Sequence, residues 1–62
     1  MSHLSISKAY EVVEGVKSAI EDTEKKGQPH SVVYVEALGC CMSMPASDAP
    51  EEYGWEIITT VG

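Results

Sequence analysis

Sixty-two residues allow one domain, and a chain this short buries only roughly 60% of the surface that its unfolded form exposes, while 44% hydrophobic and 23% charged residues mark it as globular rather than disordered. Ten carboxylates stand against four lysines, a formal net charge of −6, which disfavours direct binding of nucleic acid or anionic membranes and favours basic partners. No run approaches the ~18 apolar residues of a membrane span, the first residues lack the basic and apolar regions of a signal peptide, and two adjacent cysteines cannot build a disulfide framework, so the expected setting is a reducing, cytoplasmic one.

The chain opens at Met1 with no tag or linker scar and is expected to be a complete small product folding as one domain. Leu4 and Ile6 alternate with His3, Ser5 and Ser7, so residues 2–6 could form a short leading strand. A helix is then predicted over about 8–26. Ala9, Val12, Val13, Val16, Ala19 and Ile20 recur at the spacing of one buried stripe, and Ser5 or Ser7 can cap the start. Lys25, Lys26, Gly27 and Pro29 supply the stop. Glu21 and Asp22 precede Lys25 and Lys26 by four residues and should neutralise them along the helix. Gly15 costs a helix roughly 1 kcal/mol relative to Ala, so its presence suggests a close backbone contact.

Strands are predicted at about 31–42 and 54–61. In the first, Val33, Val35 and Ala37 share one face, and Val32, Tyr34, Glu36 and Leu38 the other. In the second, Trp55, Ile57, Thr59 and Val61 alternate with Glu56, Ile58 and Thr60. The segment 45–53, with Pro45, Pro50 and several turn formers, reads as a surface loop with room for one helical turn after Pro50. The fold class is α+β, one amphipathic helix on a small antiparallel sheet: α-β-β, or β-α-β-β if the N-terminal segment joins it. One helix leaves part of such a sheet uncovered, and Val32, Tyr34, Leu38 and Ile58 are assigned to that outer face as the interface of a homodimer. Trp55 is the expected centre of the core.

The functional signal is an asymmetry: all four lysines precede Gly27, and residues 27–62 carry Glu36, Asp48, Glu51, Glu52 and Glu56 with no cation. With Tyr53 beside them as a rigid aromatic anchor, these acids form the expected contact set for a basic protein surface. In size and charge alone the chain is similar to the short acidic inhibitors that phage and mobile elements encode, anti-CRISPR proteins among them. That similarity implies an inhibitor or mimic directed at a nucleic-acid-binding protein. No nucleophile elbow, phosphate cradle or convincing carboxylate pair is present, so no enzyme and no cofactor are expected.

The alternative chemistry is thiol or soft-metal handling by Cys40, Cys41, Met42 and Met44. Adjacent cysteines lack the spacing of a closed zinc site, and on a strand they point to opposite faces, leaving Cys40 and Met42 on one side. Free Cys and Met filling a strand end as small or flexible hydrophobes is the commoner arrangement. His3 and His30 have no metal-ligand spacing, and His30 after Pro29 is expected in a solvated turn, although a pairing with Cys40 in the fold is open.

Overall fold

A computed structural model describes residues 5–50 and 53–62 and shows one helix packed on a three-stranded antiparallel sheet. The elements are α1 (Ile6–Lys26), β1 (His30–Val35), β2 (Cys40–Pro45), a 3-10 turn (Ala46–Asp48) and β3 (Trp55–Val61). Ser5 caps the helix through its Oγ, which accepts from the Lys8 N–H at 3.1 Å. Gly27 ends it in the left-handed conformation with φ of 67°, its N–H donating to the Thr23 carbonyl at 2.9 Å. Ser5 and Ile6 therefore belong to the cap and first turn of the helix rather than to a leading strand, and the rest of that expectation lies outside the described residues.

The expected strand over 31–42 is two strands. Residues Glu36–Gly39 form a tight connection in which the Gly39 N–H donates to the Val35 carbonyl at 2.9 Å, and Gly39 has φ of 66°. A four-residue hairpin needs a left-handed residue at this point, and glycine adopts it without steric cost. The new strand β2 pairs with β1 from Val35↔Cys40 to His30↔Pro45, so the sheet order is β2-β1-β3, with β1 in the centre. On the other edge β3 pairs with β1 from Val35↔Trp55 to His30↔Val61, and a bulge between Val32 and Val33 leaves Ile58 as the extra residue. A 3-10 turn at Ala46–Asp48 follows β2, and the helical turn expected after Pro50 falls on residues 51–52, which lie outside the described residues.

Which face meets the helix also differs from expectation. A Cβ built on Gly15 would lie 2.7 Å from Val32 Cγ1 and 2.9 Å from Cys41 Cβ. Val32 thus faces the helix and is fully buried, as Tyr34 on the same side is half-buried beneath Lys8. Neither lies on an outer face, so the dimer interface assigned to Val32, Tyr34, Leu38 and Ile58 is not one surface: Leu38 is exposed in the hairpin connection and Ile58 is half-buried at the bulge.

The helix is rotated relative to its predicted stripe. Gly15 and Ala19 are buried at the centre of its inner face, while Val13 and Ile20 are 52% and 42% exposed. The smallest side chains face the sheet because the backbones approach too closely for larger ones. Asp22 follows this inner face and accepts a hydrogen bond from Ser43 Oγ at 2.9 Å. The expected Glu21–Lys25 and Asp22–Lys26 pairs are accordingly not formed, and the ion pairs among the described residues are Lys8–Glu56 and Lys17–Glu14.

The core is the central strand. Val32, Val33 and Val35 are all but inaccessible, and burial of each contributes roughly 1.5–3 kcal/mol. Val33, Val35 and Ser31 lie on the face away from the helix, where Ser31 Oγ meets Thr60 Oγ1 at 2.9 Å. Beyond the end of β2, Ala46, Ala49 and Pro50 are half-buried. Trp55 lies on the same face opposite Val35 and is half-buried at the margin of the core rather than its centre.

Gly15→Ala gains helix propensity but forces a methyl group into Val32 and Cys41, and is expected to lower stability by about 1–3 kcal/mol. In a chain of this size each kcal/mol moves the thermal midpoint by about 4–8 °C. Combined with Val32→Ala, which vacates that space, the two penalties should be less than additive in a denaturant titration; strict additivity would refute the close-packing account.

Candidate functional site

At the end of the sheet where β1 gives way to the hairpin, an open cleft of about 190 Å³ is lined by Lys8, Tyr34, Glu36, Gly54, Trp55 and Glu56. Local structure places each wall. Tyr34 and Glu56 are direct cross-strand partners, so their side chains leave the sheet on the same side, towards the helix. Glu36 is the first residue of the hairpin connection, held by its N–H donating to the Gly54 carbonyl at 2.9 Å. Gly54 itself has φ of 85°, a conformation that side-chain-bearing residues rarely adopt. Above them the Ser5 cap fixes the first helical turn and with it Lys8.

The Lys8 ammonium sits 4.5 Å from the centroid of the Tyr34 ring and 3.2 Å from Glu56 Oε1. Its side chain is 26% exposed against 62% for Glu56, so solvent screens the pair and each of the two contacts is worth no more than about 1 kcal/mol. Geometrically the cleft is an aromatic floor with carboxylates at its rim, and a cation already occupies it. Glu36 makes no ion pair among the described residues.

The predicted contact residues are thus divided. Glu36 and Glu56 meet at the cleft, and Tyr53, fully exposed, immediately precedes its Gly54 wall. Asp48 belongs to the turn after Pro45, which pairs with His30 at the far end of β1, roughly 16 Å away at ~3.3 Å per residue. Glu51 and Glu52 lie outside the described residues. Sequence reasoning leaves Lys8 unassigned and gives Tyr34 to a dimer interface instead of this cleft, because Lys8 lies 48 positions from Glu56 and only the register of the sheet and the packing of the helix on it bring the three together.

The sulfur cluster is divided as well. Cys40, Met42 and Met44 oppose Val35, Val33 and Ser31 on the face away from the helix, whereas Cys41 lies under Gly15 on the other. The four sulfurs do not converge. His30, expected in a solvated turn, is instead buried as the first residue of β1. Its Nδ1 lies 2.9 Å from the Gln28 carbonyl and must donate to it, and its Nε2 is buried with no partner among the described residues, a cost of about 1–3 kcal/mol. Cys40 pairs with Val35 at the opposite end of β1, so a Cys40–His30 pair does not form.

Burial pushes the Cys41 thiol above its ordinary pKa, with Glu11 and Cys40 adding to the shift and Lys8 opposing it. A raised pKa keeps Cys41 protonated at neutral pH, and its contribution to stability is lost as pH climbs through and beyond the ordinary thiol range. In timed alkylation with iodoacetamide at pH 7.5, read by peptide mass mapping, Cys40 is expected to react about tenfold faster than Cys41. Equal rates would contradict this division of faces.

No protein-family model, curated protein or solved structure matches this chain, so the cleft and the surface around it carry the functional argument.

Proposed function

We propose that this protein acts by binding rather than by catalysis, and that it engages a basic protein surface with an arginine of the partner seated in the cleft over Tyr34, between Glu36 and Glu56. The observation that carries this reading is the occupancy of the cleft by the protein's own Lys8, which meets the Tyr34 ring and the Glu56 carboxylate together. A guanidinium satisfies the same two features more fully: its plane stacks on an aromatic ring while its forked N–H groups engage carboxylates. Glu36 supplies a second carboxylate at the rim, and Tyr53 beside Gly54 offers exposed aromatic area to the partner's surface.

Charge supports the same direction. Beyond Gly27 the chain has five carboxylates and no cation, so a basic partner is steered to the sheet and its connections rather than to the outer helix. A nucleic-acid-binding protein presents such a surface, and blocking it is the activity this reading favours. Lys8 then works as an internal competitor that the incoming arginine must displace.

The test uses the blocked tripeptide Gly-Arg-Gly, with its neutral citrulline counterpart as control, followed by amide NMR shifts at low salt. Saturable shifts at the amides of Glu36, Gly54 and Glu56 are expected, with a dissociation constant on the order of millimolar, and citrulline should produce none. Glu56→Gln should weaken binding by about threefold or more, and Lys8→Met should tighten it by a similar factor. Lys17→Met makes the same change in net charge at a distance, so equal effects of the two lysine variants, or shifts spread over every acidic residue, would overturn the assignment.

A further inference from the structure

Among the described residues the sheet has two open edges, since β2 and β3 each pair with β1 alone. They are not alike. β2 carries no charged residue, and Pro45 at its end has no N–H to offer, whereas β3 sets Glu56 between Trp55 and Ile57 and forms one wall of the cleft. One contact fixes the phase of the β3 hydrogen bonds. The Glu36 N–H donates to the Gly54 carbonyl, and Tyr34 faces Glu56 in the same register, so the backbone groups of Gly54 and Glu56 point inward at β1. Those of Trp55 and Ile57, on either side of Glu56, therefore point outward from the edge.

We infer, on the arginine reading of the cleft, that the partner supplies a short extended segment that pairs antiparallel with the open edge of β3 and carries its arginine opposite Glu56. In that register arginine and Glu56 form the closely spaced, non-hydrogen-bonded kind of cross-strand pair, with both side chains on one face. The guanidinium leaves the sheet on the helix side, beside the Glu56 carboxylate and towards the Tyr34 ring one strand further in. The residues before and after the arginine exchange N–H and C=O bonds with Ile57 and Trp55. Their side chains fall on the opposite face, next to the exposed Ile57 and half-buried Trp55, a setting for β-branched apolar residues.

Charge and composition select this occupant. The cleft end of β3 presents Glu36 and Glu56 against the single cation Lys8, so a basic segment is attracted there and an acidic one repelled. A second copy of this chain cannot supply the segment, because it has no arginine and its lysines all lie within α1. The β2 edge offers backbone groups without a carboxylate beside them. The bulge at Ile58 interrupts the β3 edge beyond Ile57, which limits regular pairing to residues 55–57 and hence to an apolar–arginine–apolar triplet. Backbone pairing also aims the arginine before it reaches the cleft, lowering the ordering cost that a free side chain bears.

The probe is the blocked pentapeptide Thr-Val-Arg-Val-Thr, titrated into the full chain by NMR beside Gly-Arg-Gly. It is expected to bind about tenfold more tightly than the tripeptide and to shift the amides of Trp55 and Ile57 downfield, leaving those of Cys40–Met44 unmoved. N-methylation of both valines removes the donors that face the edge and should abolish the gain, whereas N-methylation of the arginine, whose N–H faces away, should change affinity less than about twofold. A pentapeptide no tighter than Gly-Arg-Gly, a gain that survives methylation of the valines, equal losses from both methylations, or shifts along β2 would each overturn the edge pairing while leaving arginine in the cleft. A citrulline pentapeptide that binds as tightly as the arginine one would overturn both.

Discussion

The approach of Gly15 to Val32 and Cys41 governs the rest of the molecule. With no side chain between them, helix and sheet backbones come closer than an alanine would permit, and the contact spans both the central strand and one edge. Everything on the helix is then referred to that point. Ala19, one turn on, is buried with it, and the larger Val13 and Ile20 turn away from the sheet although they are the better hydrophobes. Close packing has been favoured over the largest transfer of apolar surface, a trade open to a small domain because dispersion contacts grow steeply as surfaces approach.

That rotation separates two kinds of surface. Lys8 is brought over the sheet and meets Tyr34 and Glu56, so the helix contributes one cation to an otherwise anionic half of the chain. The apolar line from Ile6 to Ile20 is carried to the outside of the helix. Polar chemistry therefore gathers at one end of the sheet and exposed apolar area along the outer helix.

The class of fold was legible in the sequence because helix and strand periods are local properties. Ser5, Lys25, Lys26 and Gly27 mark the helix ends through groups within a turn of one another, and the structure places the caps there. The hairpin was concealed: Glu36, Ala37 and Leu38 prolong an apolar run without an Asn-Gly or Asp-Gly signal, and only Gly39 and a twelve-residue length, about twice that of an ordinary strand, hinted at a break. The buried faces were assigned wrongly for a different reason. Hydrophobicity chose Val13 and Ile20 for the inner stripe, whereas the distance between backbones chose Gly15 and Ala19, and no local pattern encodes that distance. The acidic half of the cleft was visible as Glu36 and Glu56, but Lys8 and Tyr34 join it through contacts between remote positions. Cys40 and Cys41, by contrast, fall on opposite faces as strand alternation requires.

The central position of β1 also sets the order in which the fold can assemble. Its pairing with β2 closes a connection of four residues, a fast local event with little loss of chain entropy, and α1 is joined to β1 by an equally short link. Pairing with β3 has to wait for a loop several times longer to close, and its bulge demands a register that no tight turn enforces. Until then Val33 and Val35 have a neighbour on one side only. The third strand is therefore the part of the sheet whose docking closes the longest stretch of chain and carries the largest loss of chain entropy.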